Sequence, residues 1–140
     1  MFRYGKLARQ AVSLVSYLAE NYGVDAGALS SSEVGKARNI PKALAAKLLS
    51  EAASAGLVRG TTGPGGGYRL ARPPETITLL EVVELFERPQ ADNPCPFGTG
   101  WCGTGEPCPL HHDFVDMETR SLAFLEGTTF GVFVKPPPAQ

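Results

Sequence analysis

The amino-acid sequence predicts a mainly α-helical fold with one small β-hairpin. Three observations predict it. Apolar residues recur at helical spacing over residues 6–21, two short strands flank a glycine-rich run within residues 57–71, and a second long helical pattern covers residues 110–125. Hydrophobic residues make up 43% of the 140 residues, which is enough for a packed core. The apolar runs are too short to span a bilayer, so no membrane partner is expected.

The first predicted helix runs from residue 6 to residue 21 and ends before Gly23. Its apolar residues follow the i, i+4, i+7 spacing of a single buried face. That expected inward stripe is Leu7, Ala11, Leu14, Val15, Leu18 and Tyr22.

A short helix, a break and a longer helix come next. The serines at 30–32 offer N-caps for the short helix, and Pro41 suits the first position of a helix over residues 42–55. This arrangement is typical of a helix-turn-helix, whose second helix can enter the major groove of DNA. The expected inward face of the second helix is Leu44, Leu48 and Ala52.

A β-hairpin is predicted directly after the second helix. Residues 57–59 and 68–71 read as strands around the glycine-rich run at 60–67. A hairpin in this position is a wing, so the predicted fold class is a winged helix-turn-helix. The alternative of a nucleotide-binding P-loop requires a Lys-Ser/Thr ending and a following helix, and the sequence has neither.

The charges of the chain are divided between its two halves. Residues 1–72 hold ten Lys/Arg against four acids, a balance of +6, and residues 73–140 hold three against ten, a balance of −7. A basic N-terminal half predicts a polyanionic partner, which for this fold is double-stranded DNA. The predicted DNA-binding residues are Lys42, Ala43, Ala46 and Lys47 on the second helix and Arg59, Gly65, Gly66 and Arg69 on the wing. No Arg or Asn lies on that helix for bidentate base reading, so the target sequence cannot be inferred.

The acidic half begins after a stiff connector, Arg72-Pro73-Pro74-Glu75, which predicts two units, a DNA-binding domain at 1–72 and a second unit at 73–140. Thr78 and Glu81 form a capping box for a helix to about residue 87. The long helix over residues 110–125 has apolar residues on more than one face, which favours packing on a second subunit over simple docking on its own chain.

All three cysteines and both histidines lie between residues 95 and 112, in a stretch rich in Gly and Pro that we call the cysteine loop. Soft ligands gathered in this way predict an iron–sulfur or other metal site. An odd number of cysteines fits a disulfide framework poorly and a reducing compartment well, and no secretory signal is visible, so the chain is expected to be cytoplasmic.

Four sequence pieces together carry a family resemblance: Gly56-Leu57-Val58, the run from Gly63 to Leu70, Ile77-Thr78-Leu79, and Cys108-Pro109-Leu110-His111. With them the chain resembles the Rrf-two family of bacterial transcription regulators over nearly its whole length. The resemblance implies a homodimeric winged helix-turn-helix repressor with a long C-terminal dimerisation helix and an iron–sulfur cluster on the loop between.

The resemblance also implies the ligand set. Three cysteines bind iron in cluster-bearing members, which carries over to Cys95, Cys102 and Cys108, and a histidine three residues after the last cysteine serves in some of them, the position of His111 here. A [2Fe–2S] cluster is favoured over [4Fe–4S]. Six residues separate the first two cysteines, one more than the commonest pattern. Thr62 stands where the family frequently has Arg before the wing glycines, a departure that bears on minor-groove contact.

The leading functional hypothesis is a DNA-binding regulator, not an enzyme, whose DNA affinity is set by a cluster that senses redox state, iron or nitric oxide. Structural zinc is an alternative, although the spacing lacks the close Cys-x2-Cys pair usual for zinc, and bare redox-reactive thiols are another. A third alternative is a small iron–sulfur redox enzyme, for which the sequence offers no acid–base pair.

Overall fold

The computed structural model describes residues 4–23, 27–87 and 106–134. Its elements follow the order helix, helix, helix, hairpin, helix, helix, as the sequence predicts. They are α1 (Lys6–Glu20), α2 (Ser31–Ala37), α3 (Lys42–Ser54), β1 (Val58–Thr61), β2 (Gly67–Leu70), α4 (Leu79–Val83) and α5 (His111–Gly127), with 3₁₀ turns at Pro74–Thr76 and Phe130–Phe133. Within the described residues, no helix is both long enough and apolar enough to cross a bilayer.

Helix α1 lies at the centre of the core, and its buried face matches the predicted one only in part. Leu7 and Tyr22 are 44% and 42% exposed, whereas Ala8 and Ala19 are completely buried. The face is therefore defined partly by small residues, which allow neighbouring elements to approach the helix closely. Leu14, Val15 and Leu18 are buried as expected.

The two helices of the helix-turn-helix, α2 and α3, approach each other closely at Gly35. A Cβ at Gly35 would lie 2.6 Å from the carbonyl oxygen of Ile40 and 3.2 Å from Cβ of Ala45. Pro41 is the N-cap of α3 rather than its first helical residue. Asn39 has a positive φ of 56°, which Asn tolerates better than most residues. Ala45, Leu48, Leu49 and Ala52 form the buried face of α3, and Leu44 is half-buried.

The wing is an antiparallel pair of strands tied to the segment before α2. Val58 pairs with Leu70 and Thr61 with Gly67. Leu29 forms an isolated bridge with Tyr68, through Tyr68 N–H donating to the Leu29 carbonyl at 2.7 Å and Leu29 N–H donating back at 2.9 Å. Gly67 is required there because its φ is 148° and a Cβ would collide with the Leu29 carbonyl.

Helix α4 begins with the predicted capping box. The Thr78 hydroxyl accepts from Glu81 N–H at 3.2 Å, and the Glu81 carboxylate accepts from Thr78 N–H at 2.9 Å. The helix ends at Val83, earlier than predicted, and the turn after it is closed by further backbone bonds such as Glu87 N–H to the Val83 carbonyl.

One hydrophobic cluster contains residues from both predicted units. Side chains of α1 and α3 share it with Ile77, Val82, Leu125 and Phe130. Phe130 is completely buried, and its N–H donates to the Ile77 carbonyl at 2.9 Å. Within the seam, Arg72 donates to both carboxylate oxygens of Glu81 at 2.9–3.0 Å. The boundary at residue 72 stays a prediction.

Candidate nucleic-acid interface and cysteine site

The exposed face of α3 presents the residues predicted to contact DNA. Lys42, Ala43 and Lys47 are exposed and Ala46 is half-buried, while the opposite face packs into the core. No carboxylate among the described residues lies within 4.0 Å of either lysine ammonium. The surface of α3 therefore offers small side chains flanked by two cations, a composition suited to a phosphate backbone.

The wing places two further cations side by side. Arg59 and Arg69 are direct partners in the β1–β2 register, and both are exposed. Directly opposite residues of an antiparallel pair project from the same face, so two like charges meet there at a cost to the isolated protein. Neither guanidinium has an ion-pair partner in the part of the chain that the structure describes. This arrangement favours an anionic partner.

The wing glycines serve mainly to build the turn. Gly63 and Gly65 have positive φ values of 88° and 76°. A Cβ on Gly66 would lie 2.5 Å from the Thr61 carbonyl, and Gly66 N–H donates to the Gly63 carbonyl at 2.9 Å. The N–H group of Gly66 is thus already used inside the turn. Gly65 is exposed at the tip.

Arg38 fastens the turn between α2 and α3 to α1, a role that the sequence did not reveal. Its guanidinium donates to the Ser13 carbonyl at 3.1 Å, to the Ser16 hydroxyl at 3.1 Å and to the Glu20 carboxylate at 2.6 Å. It also lies 5.1 Å from the centroid of the Tyr17 ring. The only hint in the sequence was one cation at the end of a short helix, because its partners lie 18 to 25 residues away along the chain.

Two of the four predicted cluster ligands lie within the described residues. Cys108 is 4% exposed, and His111 is half-buried at the first position of α5. His111 N–H donates to the Cys108 carbonyl at 3.0 Å, so one turn of chain joins the two. Cys95 and Cys102 lie outside the described residues, and among the described residues no group of three or more His, Cys, Asp or Glu is placed to hold a metal ion.

The neighbouring His112 differs from His111 in exposure. Its side chain is exposed, and its ring centroid lies 5.5 Å from that of His111 in an edge-on arrangement.

Glu87 is the last residue that the structure describes before the cysteine loop. Its carboxylate accepts a hydrogen bond from Gly5 N–H at 2.9 Å, at the start of α1.

Comparison with known proteins identifies the family. The Rrf2 family, described as iron-dependent transcriptional regulators, matches residues 4–136. The chain belongs to the Rrf2 family. This confirms the resemblance to the Rrf-two family and the winged helix-turn-helix fold that it implies.

Individual relatives agree with this membership. An HTH-type transcriptional regulator of Aquifex aeolicus is 29% identical over 90% of this chain and 87% of its own length. The HTH-type transcriptional regulator IscR of Escherichia coli is 29% identical over 90% of this chain and 76% of its own. The structure of CymR, the global cysteine regulator of B. subtilis, superposes with a TM-score of 0.76 at 21% identity, covering 96% of this chain and 100% of that one.

The chain is therefore an Rrf2-family DNA-binding transcriptional regulator. The relatives carry the names of transcriptional regulators, consistent with a protein that is not an enzyme. In a helix-turn-helix the second helix is the element that lies in the major groove of DNA.

Proposed function

We propose that this chain is a homodimeric, cytoplasmic transcriptional repressor whose occupancy of DNA is set by an iron–sulfur cluster. The observation that carries the cluster assignment is the turn at the start of α5, where a nearly completely buried cysteine is joined by one backbone hydrogen bond to a histidine. Cys108 and His111 would supply two ligands, and Cys95 and Cys102 the other two.

The donor set fits this group. Thiolates are the ligands of iron–sulfur clusters, and histidine replaces cysteine on iron in some of them, with a change of reduction potential. The burial of Cys108 removes one ligand sulfur from bulk water, and exposure of a cluster to solvent is among the factors that set its potential. When bound, such a cluster supplies a redox-active centre that is sensitive to its ligands. The description of the family as iron-dependent adds support.

DNA binding would use α3 and the wing in different ways. Lys42 and Lys47 would contact phosphates on either side of the groove that α3 enters, and Arg59 with Arg69 would do so from the wing. Ala43 and Ala46 would lie nearest the base edges, and Gly65 would let the wing tip approach the backbone of DNA. Because phosphate contacts carry affinity rather than sequence choice, loss of these cations would weaken binding to all sequences alike.

The second subunit would pack on α5. Of its seventeen residues only Leu125 is buried. Met117 and Phe124 are 53% and 60% exposed and stand seven residues apart, so they lie on one stripe of the helix, and Leu110, 44% exposed at the N-cap, precedes them by the same interval. An apolar stripe of this kind on a soluble chain favours association with a copy of itself.

The cluster proposal is tested by anaerobic purification followed by iron and sulfide analysis and absorption spectroscopy. We expect a coloured protein with iron and acid-labile sulfide, and Cys102→Ala should abolish the chromophore. Colourless protein with stoichiometric zinc would overturn the cluster in favour of structural zinc. Metal-free protein with alkylatable, oxidisable thiols would overturn it in favour of thiol sensing.

The fourth ligand has a matched control in the adjacent histidine. His111→Ala should shift the visible spectrum and speed cluster loss in air, whereas His112→Ala should leave both unchanged. Equal spectra and equal decay for the two variants would remove His111 from the ligand set. DNA binding measured before and after cluster loss then tests sensing, since equal affinities would contradict it.

A further inference from the structure

A pocket beside the helix-turn-helix gathers cations outside α3 and the wing. It has a volume of about 260 Å³ and lies between the first turns of α1 and the turn that joins α2 to α3. No Asp or Glu lines it. Its polar lining comprises Lys6, Arg9, Gln10, Ser13, Arg38 and Asn39.

The lining on α1 is one face of that helix. Lys6, Arg9, Gln10 and Ser13 stand at the i, i+3, i+4 and i+7 positions of a single stripe. Arg38 lies on the same side of α1, nearer its C-terminal end, where its guanidinium donates to the Ser13 carbonyl and the Glu20 carboxylate. The polar stripe of α1 therefore faces the helix-turn-helix along its whole length.

The three cations of the pocket differ in whether they already have a partner within the protein. The Arg38 guanidinium is engaged by Ser13, Ser16 and Glu20, so it positions the turn. Lys6 and Arg9 are exposed, and within the described ranges no carboxylate lies within 4.0 Å of either one. Two cations held on one face beside a pocket without acids leave positive potential that a ligand can neutralise.

A second groove, with a volume of about 290 Å³, lies between this pocket and the start of α3. It is lined by Gly35, Lys36, Asn39, Ile40 and Pro41, so the two share Asn39 and Ile40. Pro41 is the N-cap of α3, and Lys36 adds another exposed cation along the way. A continuous basic track thus leads from the N-terminal end of α3 to the first turns of α1.

The direction of this track decides which anion fits best. In a helix-turn-helix complex the second helix lies in the major groove, and the elements before it cross the sugar–phosphate backbone. Successive phosphates of that backbone would follow a track beginning at the N-terminus of α3. A single small anion would occupy the pocket but would leave the groove with Lys36 unexplained.

We infer that Lys6 and Arg9 form a phosphate-contact site that extends the DNA interface from α3 onto α1, with Asn39 at the junction. Arg38 acts as a positioning residue, because its hydrogen bonds fix the turn between α2 and α3 against α1. The inference rests on the DNA-binding function proposed above, and it adds a third surface to α3 and the wing.

The experiment needs no knowledge of the operator, because backbone contacts act on any sequence. The affinity of the full chain for a fluorescent duplex of mixed sequence is measured at several salt concentrations for the wild type, Arg9→Gln and Lys6→Gln. Each lost phosphate contact should reduce the slope of log affinity against log salt by about 0.9, so each variant should lose roughly that amount and the double variant about twice as much. Arg120→Gln is the matched control, since it removes one exposed cation from α5 and changes the net charge equally.

Each outcome separates the pocket from the rest of the interface. If Arg9→Gln and Lys6→Gln keep the salt slope of Arg120→Gln while Lys47→Gln lowers it, the pocket makes no phosphate contact and the inference is wrong, but the proposed function stands. If the wild type itself shows no salt-dependent binding, the DNA-binding function fails first. If inorganic phosphate binds the wild type and not Arg9→Gln while the salt slope is unchanged, the pocket is a small-anion site and the inference is again overturned.

Discussion

Helices α1 and α5 have similar lengths but opposite relations to the core. Eight of the fifteen residues of α1 are buried, against one of the seventeen of α5. The difference is not one of apolar content alone, because α5 carries Val115, Met117 and Phe124 in exposed positions. A single chain thus completes its core around α1 and leaves the apolar side of α5 uncovered. The comparison indicates that α1 stabilises the subunit, whereas α5 is suited to stabilising an assembly.

The largest expected effect lies on α1. Leu14 is 0% exposed, so Leu14→Ala should lower the free energy of unfolding by about 3 kcal/mol through lost burial and the cavity left behind. Leu7→Ala is the control on the same helix, where the side chain is 44% exposed and the loss should stay below about 1 kcal/mol. Urea unfolding followed by circular dichroism measures both, and equal losses would show that α1 is not the centre of the core.

The next effect is expected on α5. Phe124→Glu places a charge in the apolar stripe and should weaken dimerisation by roughly 2 kcal/mol or more, about 30-fold in dissociation constant. The helix itself should persist, since Phe124 is 60% exposed in the single chain. Analytical ultracentrifugation measures the change. Thr119→Glu adds the same charge on another face of α5 and should leave the dimer intact, so dimers of equal strength in both variants would assign the interface to another surface.

The smallest effect concerns the polar side of α1. Arg38→Met removes the hydrogen bonds to Ser13 and Glu20 while keeping an apolar chain beside Tyr17. We expect a loss of about 1–2 kcal/mol, because the Arg38 and Glu20 side chains are 23% and 25% exposed and the pair is partly screened by water. A double-mutant cycle with Glu20→Gln measures their coupling, and a coupling near zero would mean that the turn is held by packing alone.

Local signals in the sequence predicted most of the fold. The capping box at Thr78 and Glu81, the break at Pro41 and the wing around the glycine run each depend on residues close together in the chain, and each is confirmed. The prediction of the buried face of α1 was partly wrong, because it included Leu7 and Tyr22, which are exposed, and omitted Ala8 and Ala19, which are completely buried. The face that a helix buries depends on what packs against it, which periodicity alone cannot supply.

The residues of the candidate site also fall into those that the sequence predicted and those that it did not. The exposed cations of α3 and the wing followed from charge and spacing, and the structure places them on the surface. The network of Arg38 and the cations at Lys6 and Arg9 were missed, since α1 and the helix-turn-helix meet only in three dimensions. The roles of Cys95, Cys102, Cys108 and His111 stay predictions that came from family resemblance and the chemistry of the donors.

The way in which the wing is fastened affects how this protein can evolve. Its attachment to Leu29 and its own turn are made by backbone groups, while Thr61, Thr62 and Arg69 project into solvent. Exchanging exposed side chains of this kind usually changes stability by less than about 0.5 kcal/mol. Exposed side chains of the wing can therefore be exchanged at little risk to folding.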